Sequence, residues 1–263
     1  MSSDVQTISS MVDPDRARAL QATLGIPPTI EHGDALPPFF HQVYFWDPQI
    51  PCLLGRDGHP KVGRVVPDLG LPRRMWAGGR LDFHAPFRAG FKARRVTQVE
   101  NAVRKQGRGG QMGIVTMCHE IWQGNRRAIT EWQDLVFLND LSNGPRPDPP
   151  MSRLDEEYCE SRTFDTTTLF RYSALTFNGH RIHYDREYAR NIEGYSDIIV
   201  HGPLLAQLLM LLSQRQIGHL RKFIFRATSP LFHTQSATFC WKSDGSSWVR
   251  NPDGIQCMVA SAE

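Results

Sequence analysis

Residues 201–218 read HGPLLAQLLMLLSQRQIG, and this stretch decides how the rest of the chain must be arranged. Pro203 suits the first turn of a helix, where its missing N–H is no loss, and Gly218 suits the stop, so the run predicts a helix from Pro203 to about Gln214. Leu204, Leu205, Leu208, Leu209, Met210, Leu211 and Leu212 cover most of its circumference. A helix apolar on nearly every side has to be wrapped on several sides. Strand-like runs at 221–228, 235–242 and 248–260 follow and are the available wrapping. Upstream lie a strand candidate at 160–164, a short helix at 167–176 and the polar segment FNGHRIHYD at 177–185.

The first half of the chain repeats the strand-rich pattern. A short helix at 13–24 ends at Gly25, a loop-rich region follows, and four strands are expected at 80–87, 92–105, 111–123 and 126–138. Between the halves, residues 139–152 (NDLSNGPRPDPPMS) hold four prolines and hardly any apolar side chain, the composition of a linker. A buried helix followed by antiparallel strands that curl around it is the geometry of a hotdog fold, and a four-strand region before it suggests two such units. The expected class is α+β, a double hotdog of two curled antiparallel sheets, each wrapping a helix. Its parts would be a degenerate N-terminal hotdog with a loop extension (1–138), the linker (139–152) and a second hotdog (153–263). Periodicity alone leaves a generic α+β sandwich open. A lone hotdog exposes a long strand edge, so the halves are expected to pair edge to edge, and pairing of chains into a homodimer is a further state the sequence allows.

Composition narrows the partners. With 30 Lys plus Arg against 27 Asp plus Glu, the net charge of +3 is too small a bias for a nucleic-acid binder. The most apolar run, Leu204 to Leu212, falls well short of the roughly 20 residues needed to span a bilayer. The five cysteines have no CxxC pair or zinc spacing, and their odd number fits a reducing compartment. No secretory signal opens the chain, so cytoplasm is the expected location, with the mitochondrial matrix as second choice. No motif for nicotinamide, ATP or a metal occurs, and GRGG at 107–110 lacks the lysine and spacing of a P-loop.

The runs LFRYSALTFNGHRIHYDREYA (169–189) and VHGPLL (200–205) resemble the hydratase segment of the R-specific enoyl-CoA hydratase and dehydratase superfamily. They are most similar to its two-hotdog branch, which holds mesaconyl-CoA and itaconyl-CoA hydratases and the mitochondrial hydroxyacyl-thioester dehydratases. LPRRMWAGGRLDFHAP (71–86), HEIWQ (119–123) and EWQDLVF (131–137) resemble that branch's degenerate N-terminal hotdog. The resemblance implies a hydro-lyase that needs no cofactor, with coenzyme A present only as part of an acyl-CoA substrate. A short methyl-branched dicarboxylic acyl group is implied. A fatty-acyl 3-hydroxyacyl-thioester dehydratase, a thioesterase and a non-catalytic acyl-thioester binding protein are the alternatives.

In the wider superfamily the motif is Asp, any residue, Asn, Pro, Ile or Leu, His, and its Asp and His activate a water. Here His183 matches the histidine, and Asn178 stands where the aspartate would be. Asn178 accepts no proton at neutral pH and could only orient the water, which shifts acid–base work to His183, whose side-chain type titrates near neutrality. Asp185, two residues on, is either an orienter of His183 or the cap of the following turn. Gly202, at the start of the buried helix, would offer its N–H to a thioester oxygen with the helix dipole behind it, as in an oxyanion hole. His180 and His201 are substrate-contact candidates. Arg73 and Arg74, ahead of an expected turn at 75–79 whose glycines would permit close backbone approach, and Arg171 and Arg181 beside the motif, are candidate holders of CoA phosphates or a substrate carboxylate.

Overall fold

The computed structural model describes residues 5–107, 110–140 and 148–263. β1 (Gln6–Met11) and α1 (Pro14–Thr23) come first, then short 3-10 turns at Phe40–Val43 and Pro51–Leu53. β2 (Arg73–Phe83), β3 (Lys92–Gly107), β4 (Gly110–Gln123) and β5 (Arg126–Leu138) complete the first half. The second half runs β6 (Tyr158–Arg162), α2 (Thr166–Thr176), a 3-10 turn at Arg181–His183, α3 (Arg186–Asn191), α4 (Gly202–Ile217), β7 (Lys222–Ala227), β8 (Ala237–Trp241), β9 (Ser246–Arg250) and β10 (Gln256–Ala262). Residues 141–147, half of the expected linker, and Arg108 and Gly109 of GRGG lie outside the described residues.

The strands join into one sheet ordered β1-β3-β4-β5-β2-β7-β10-β9-β8-β6, antiparallel at every described pairing. The expected pair of sheets is therefore continuous, because β2 of the first half pairs with β7 of the second from Gly78↔Arg226 to Asp82↔Lys222. Glycine makes this seam close. A Cβ on Gly78 would sit 2.5 Å from the Phe225 carbonyl oxygen, and one on Gly79 would sit 2.3 Å from that of Trp132 on β5. The turn expected at 75–79 is thus corrected to mid-strand, with a bulge between Trp76 and Gly78. The close approach these glycines allow is of strand to strand.

Helix α4 packs on β7, β8, β9 and β10 and is buried from Leu204 to Ser213, as its all-round apolar surface requires. In the first half no helix of this length lies over the strands among the described residues. The shared core is completed there by Ala17 and Leu20 of α1 and by the aromatic run Phe39, Phe40, Tyr44 and Phe45. The strand expected at 248–260 is two strands. Asn251 closes a turn between them by accepting the N–H groups of Asp253 at 3.0 Å and Ile255 at 2.9 Å, with Gly254 at φ +75°. β1, which pairs with β3 along the sheet's outer edge, carried no strand expectation.

Candidate functional site

Asp165 caps α2 by accepting the Thr168 N–H at 2.7 Å, and the helix ends at Phe177 in the left-handed region, φ 53°. A phenylalanine pays a steric cost there, which its stacking on Trp46, 5.0 Å between ring centres, offsets. The reversal delivers the polar segment. Asn178 Oδ1 accepts the His180 N–H at 3.0 Å, closing an Asx turn that starts the 3-10 turn at 181–183. Its oxygen is therefore engaged locally.

His183 lies at the end of that turn, 6% exposed, and its Nδ1 is 2.8 Å from the Ile199 carbonyl oxygen. A carbonyl only accepts, so Nδ1 carries the hydrogen and donates, and the Nε2 lone pair of the neutral ring is left to act as a base. Burial lowers the His183 pKa from its ordinary 6.5 to about 4, against the smaller opposing effect of the Ile199 carbonyl. The ring is neutral and proton-accepting at physiological pH. His183 lines a cavity of about 360 Å³ with Thr166, Thr167, Phe170, Tyr184 and Ile198.

His201 stacks on His183 with ring centres 3.7 Å apart, and its Nε2 lies 2.7 Å from Ser173 Oγ. It is fully buried, packed on the His183 ring and away from the cavity wall. Gly202 follows as the first residue of α4, and no acceptor among the described residues pairs with its N–H. Trp76 of β2 leaves room for no side chain at this position, since a Cβ on Gly202 would lie 2.9 Å from Trp76 Cε3. An unpaired N–H at a helix start, with the positive end of the helix dipole behind it, can stabilise a developing negative oxygen.

The other candidates are placed differently. Asp185 caps α3, accepting the Tyr188 N–H at 2.9 Å, and pairs with Arg181 at 2.7 Å; these donors hold its carboxyl below its ordinary range. Of its two expected roles the structure provides the cap. Arg181 also donates to the Arg56 carbonyl and lies over the Tyr188 ring. Arg73 is buried against Glu193 at 2.8 Å, and Arg74 is paired with Asp57 at 3.1 Å. Both guanidinium groups are thus committed to internal carboxylates, and Arg171 is exposed on α2; none of these arginines lines the cavity. His180 is buried with its ring 5.6 Å from that of His183.

Sequence reading missed the loop 55–60, GRDGHP, from the first half. Its Asp57 carbonyl accepts the Arg181 N–H at 2.9 Å, and Gly58, at φ +88°, meets Gly179 so closely that a Cβ would overlap the Gly179 oxygen. His59 is thereby set 4.8 Å from His180, ring centre to ring centre. The local signal was only an Asp-Gly turn.

One continuous antiparallel sheet, a helix buried in its second half, and a bare imidazole nitrogen beside that helix's start define a hydratase or dehydratase of the double-hotdog kind. The chain belongs to the hydroxyacyl-thioester dehydratase type 2 family, whose model matches residues 39–233. It is 38% identical over 254 residues to mesaconyl-C(4)-CoA hydratase of Chloroflexus aurantiacus, covering 94% of this chain and 91% of that one. Among solved structures it resembles HtdX of Mycobacterium tuberculosis, with a TM-score of 0.69 at 15% identity over 97% of this chain and 99% of that one. It also resembles a conserved M. tuberculosis protein with a double hotdog fold, with a TM-score of 0.61 at 12% identity over 100% of this chain and 95% of that one. Among the described residues no helix is long and apolar enough to cross a membrane.

Proposed function

We propose that this chain reversibly hydrates an enoyl-CoA thioester and that its substrate is a short methyl-branched dicarboxylic acyl-CoA of the mesaconyl-CoA or itaconyl-CoA type. The observation that carries the chemistry is the hydrogen bond from His183 Nδ1 to the Ile199 carbonyl, which leaves Nε2 as the base of a buried, cavity-lining imidazole. The 38% identity to a mesaconyl-C(4)-CoA hydratase supports the substrate class.

In the forward direction a water oxygen bonds to Cβ while one of its protons passes to His183 Nε2. The π pair of the double bond moves toward Cα and the thioester carbonyl, whose oxygen gains negative charge within reach of the Gly202 N–H. The proton on His183 then returns to Cα, so that one water has been added and the imidazole is neutral again. The ring's low affinity for protons suits this cycle, because the imidazolium is short-lived and releases its proton readily.

The test is loss of enoyl-thioester absorbance with mesaconyl-CoA, itaconyl-CoA and crotonyl-CoA, compared between the parent and His183→Ala. Turnover of a dicarboxylic substrate that falls by roughly 10²–10⁴-fold in the variant is expected. Turnover of crotonyl-CoA alone would reassign the substrate to fatty-acyl chains. Silence on all three from folded protein would overturn the reading.

A further inference from the structure

We propose that Asp57, His59 and His180 form a binding site for a single uncharged oxygen, the water added to the substrate or the hydroxyl it becomes. The proposal rests on the hydratase reading and adds to Asn178, whose side-chain oxygen already accepts the His180 N–H, further residues that hold the oxygen.

The three side chains each direct one polar atom into a common space, all within 4.8 Å of one another. Two hydrogen bonds of about 2.8 Å meeting at a tetrahedral oxygen place their outer atoms roughly 4.6 Å apart, which lies within that limit, so one oxygen can reach all three. Charge favours a neutral ligand. Arg74 already neutralises Asp57, donating to Oδ2 at 3.1 Å, so a dication would add uncompensated charge, whereas a water or hydroxyl adds none. Asp57 Oδ1 accepts the His59 N–H at 3.1 Å and keeps a second lone pair.

His180 is the independent sign of a ligand. It is 7% exposed, and its Nε2 is buried with no hydrogen-bond partner, a costly state for a polar atom unless a bound group completes it. The cluster is also built for precision. The loop 55–60 is fastened to 178–181 by the Asp57 carbonyl on the Arg181 N–H and by the Gly58–Gly179 approach, so the backbones that carry His59 and His180 are held together. The His180 ring lies edge to face with that of His183, 5.6 Å between ring centres, which brings the cluster close to the base.

The experiment compares affinities of two thioesters that differ by one hydroxyl, the hydration product of mesaconyl-C(4)-CoA and its saturated methylsuccinyl counterpart. Calorimetry is done in a His183→Gln background, which blocks turnover, with and without His59→Phe or His180→Phe, each of which keeps a ring and removes its nitrogens. Before the Phe changes, the hydroxylated thioester is expected to bind roughly tenfold tighter, the equivalent of one or two net hydrogen bonds, and either Phe change is expected to abolish the difference. Should one Phe variant fail to fold, the other carries the test. A preference that survives both changes, or no preference at the outset, overturns the oxygen site while leaving the hydratase reading standing. Failure to bind either thioester overturns both. Stoichiometric Zn²⁺ or Co²⁺ held by the unmodified protein after dialysis, and lost in His59→Phe, overturns it in favour of a metal ligand set.

Discussion

Acid is the perturbation that tests the His183 environment most directly. With the His183 pKa lowered to about 4 by burial, about 90% of the ring is neutral at pH 5, against about 3% for an ordinary histidine of pKa 6.5. Relative to pH 7, kcat/KM at pH 5 is therefore expected to stand at about 0.9, where an unshifted base would leave about 0.04. The difference is roughly 20-fold. Stability moves over the same range. The folded His183 binds its proton less readily than the unfolded one, so its neutral burial contributes fully above pH 6.5, and that contribution shrinks as pH falls toward 4. The loss is about 3 kcal/mol for this ring. His59, His180 and His201, all held low chiefly by burial, act in the same direction. The assay is initial-rate enoyl-thioester absorbance from pH 4.5 to 8, with circular dichroism at each pH so that unfolding is separated from titration. A kcat/KM that falls through an ionisation near 6.5 while the fold is intact would refute the assigned environment.

Three other predictions follow from the packing. Arg73→Met leaves the Glu193 carboxylate buried without its guanidinium and is expected to cost about 3–5 kcal/mol in denaturant unfolding, most of it recovered by adding Glu193→Leu. Gly202→Ala drives a methyl against Trp76, so a loss of about 1–3 kcal/mol is expected, with partial rescue by Trp76→Leu; an unchanged unfolding midpoint would place this contact wrongly. Gly79→Ala forces a methyl onto the Trp132 carbonyl at the seam of the two halves and should cost at least about 1–3 kcal/mol by thermal unfolding, whereas a neutral result would show that β2, β5 and β7 can spread there.

Local patterns carried much of the architecture. Helix α4 was readable because an all-round apolar helix has few places to be, and Pro203 and Gly218 mark its ends through φ preferences that act within one residue. The hairpin of β4 and β5 was readable for the same kind of reason, since its turn at Gly124-Asn125 is local in sequence. The glycines at 78–79 were misread because a strand bulge pressed between two neighbours and a turn use the same residue for the same lack of Cβ. β1 was missed because an edge strand with one hydrogen-bonded partner, burial alternating along QTISSM, has too little apolar content to declare itself.

The sequence by itself determined the second half's helix and the strand-rich character of both halves, and it singled out His183 and Gly202 as candidates for the chemistry. Tertiary structure alone decided what each polar side chain faces. Glu131, an acid in a β5 run that reads like an ordinary strand, is 1% exposed and paired with His41 at 2.9 Å across 90 residues; burial pushes its pKa up, and His41, His119 and the Gln133 hydrogen bond together outweigh this to hold it at about 2. Arg73 and Arg74 read as free cations and are spent on Glu193 and Asp57. His59, unremarked in its loop, comes to rest against His180 because the two halves share one sheet. Chain-local preferences extend over a few residues, whereas the pairing of charges and the tautomer of a buried ring depend on groups brought together by folding from far along the chain.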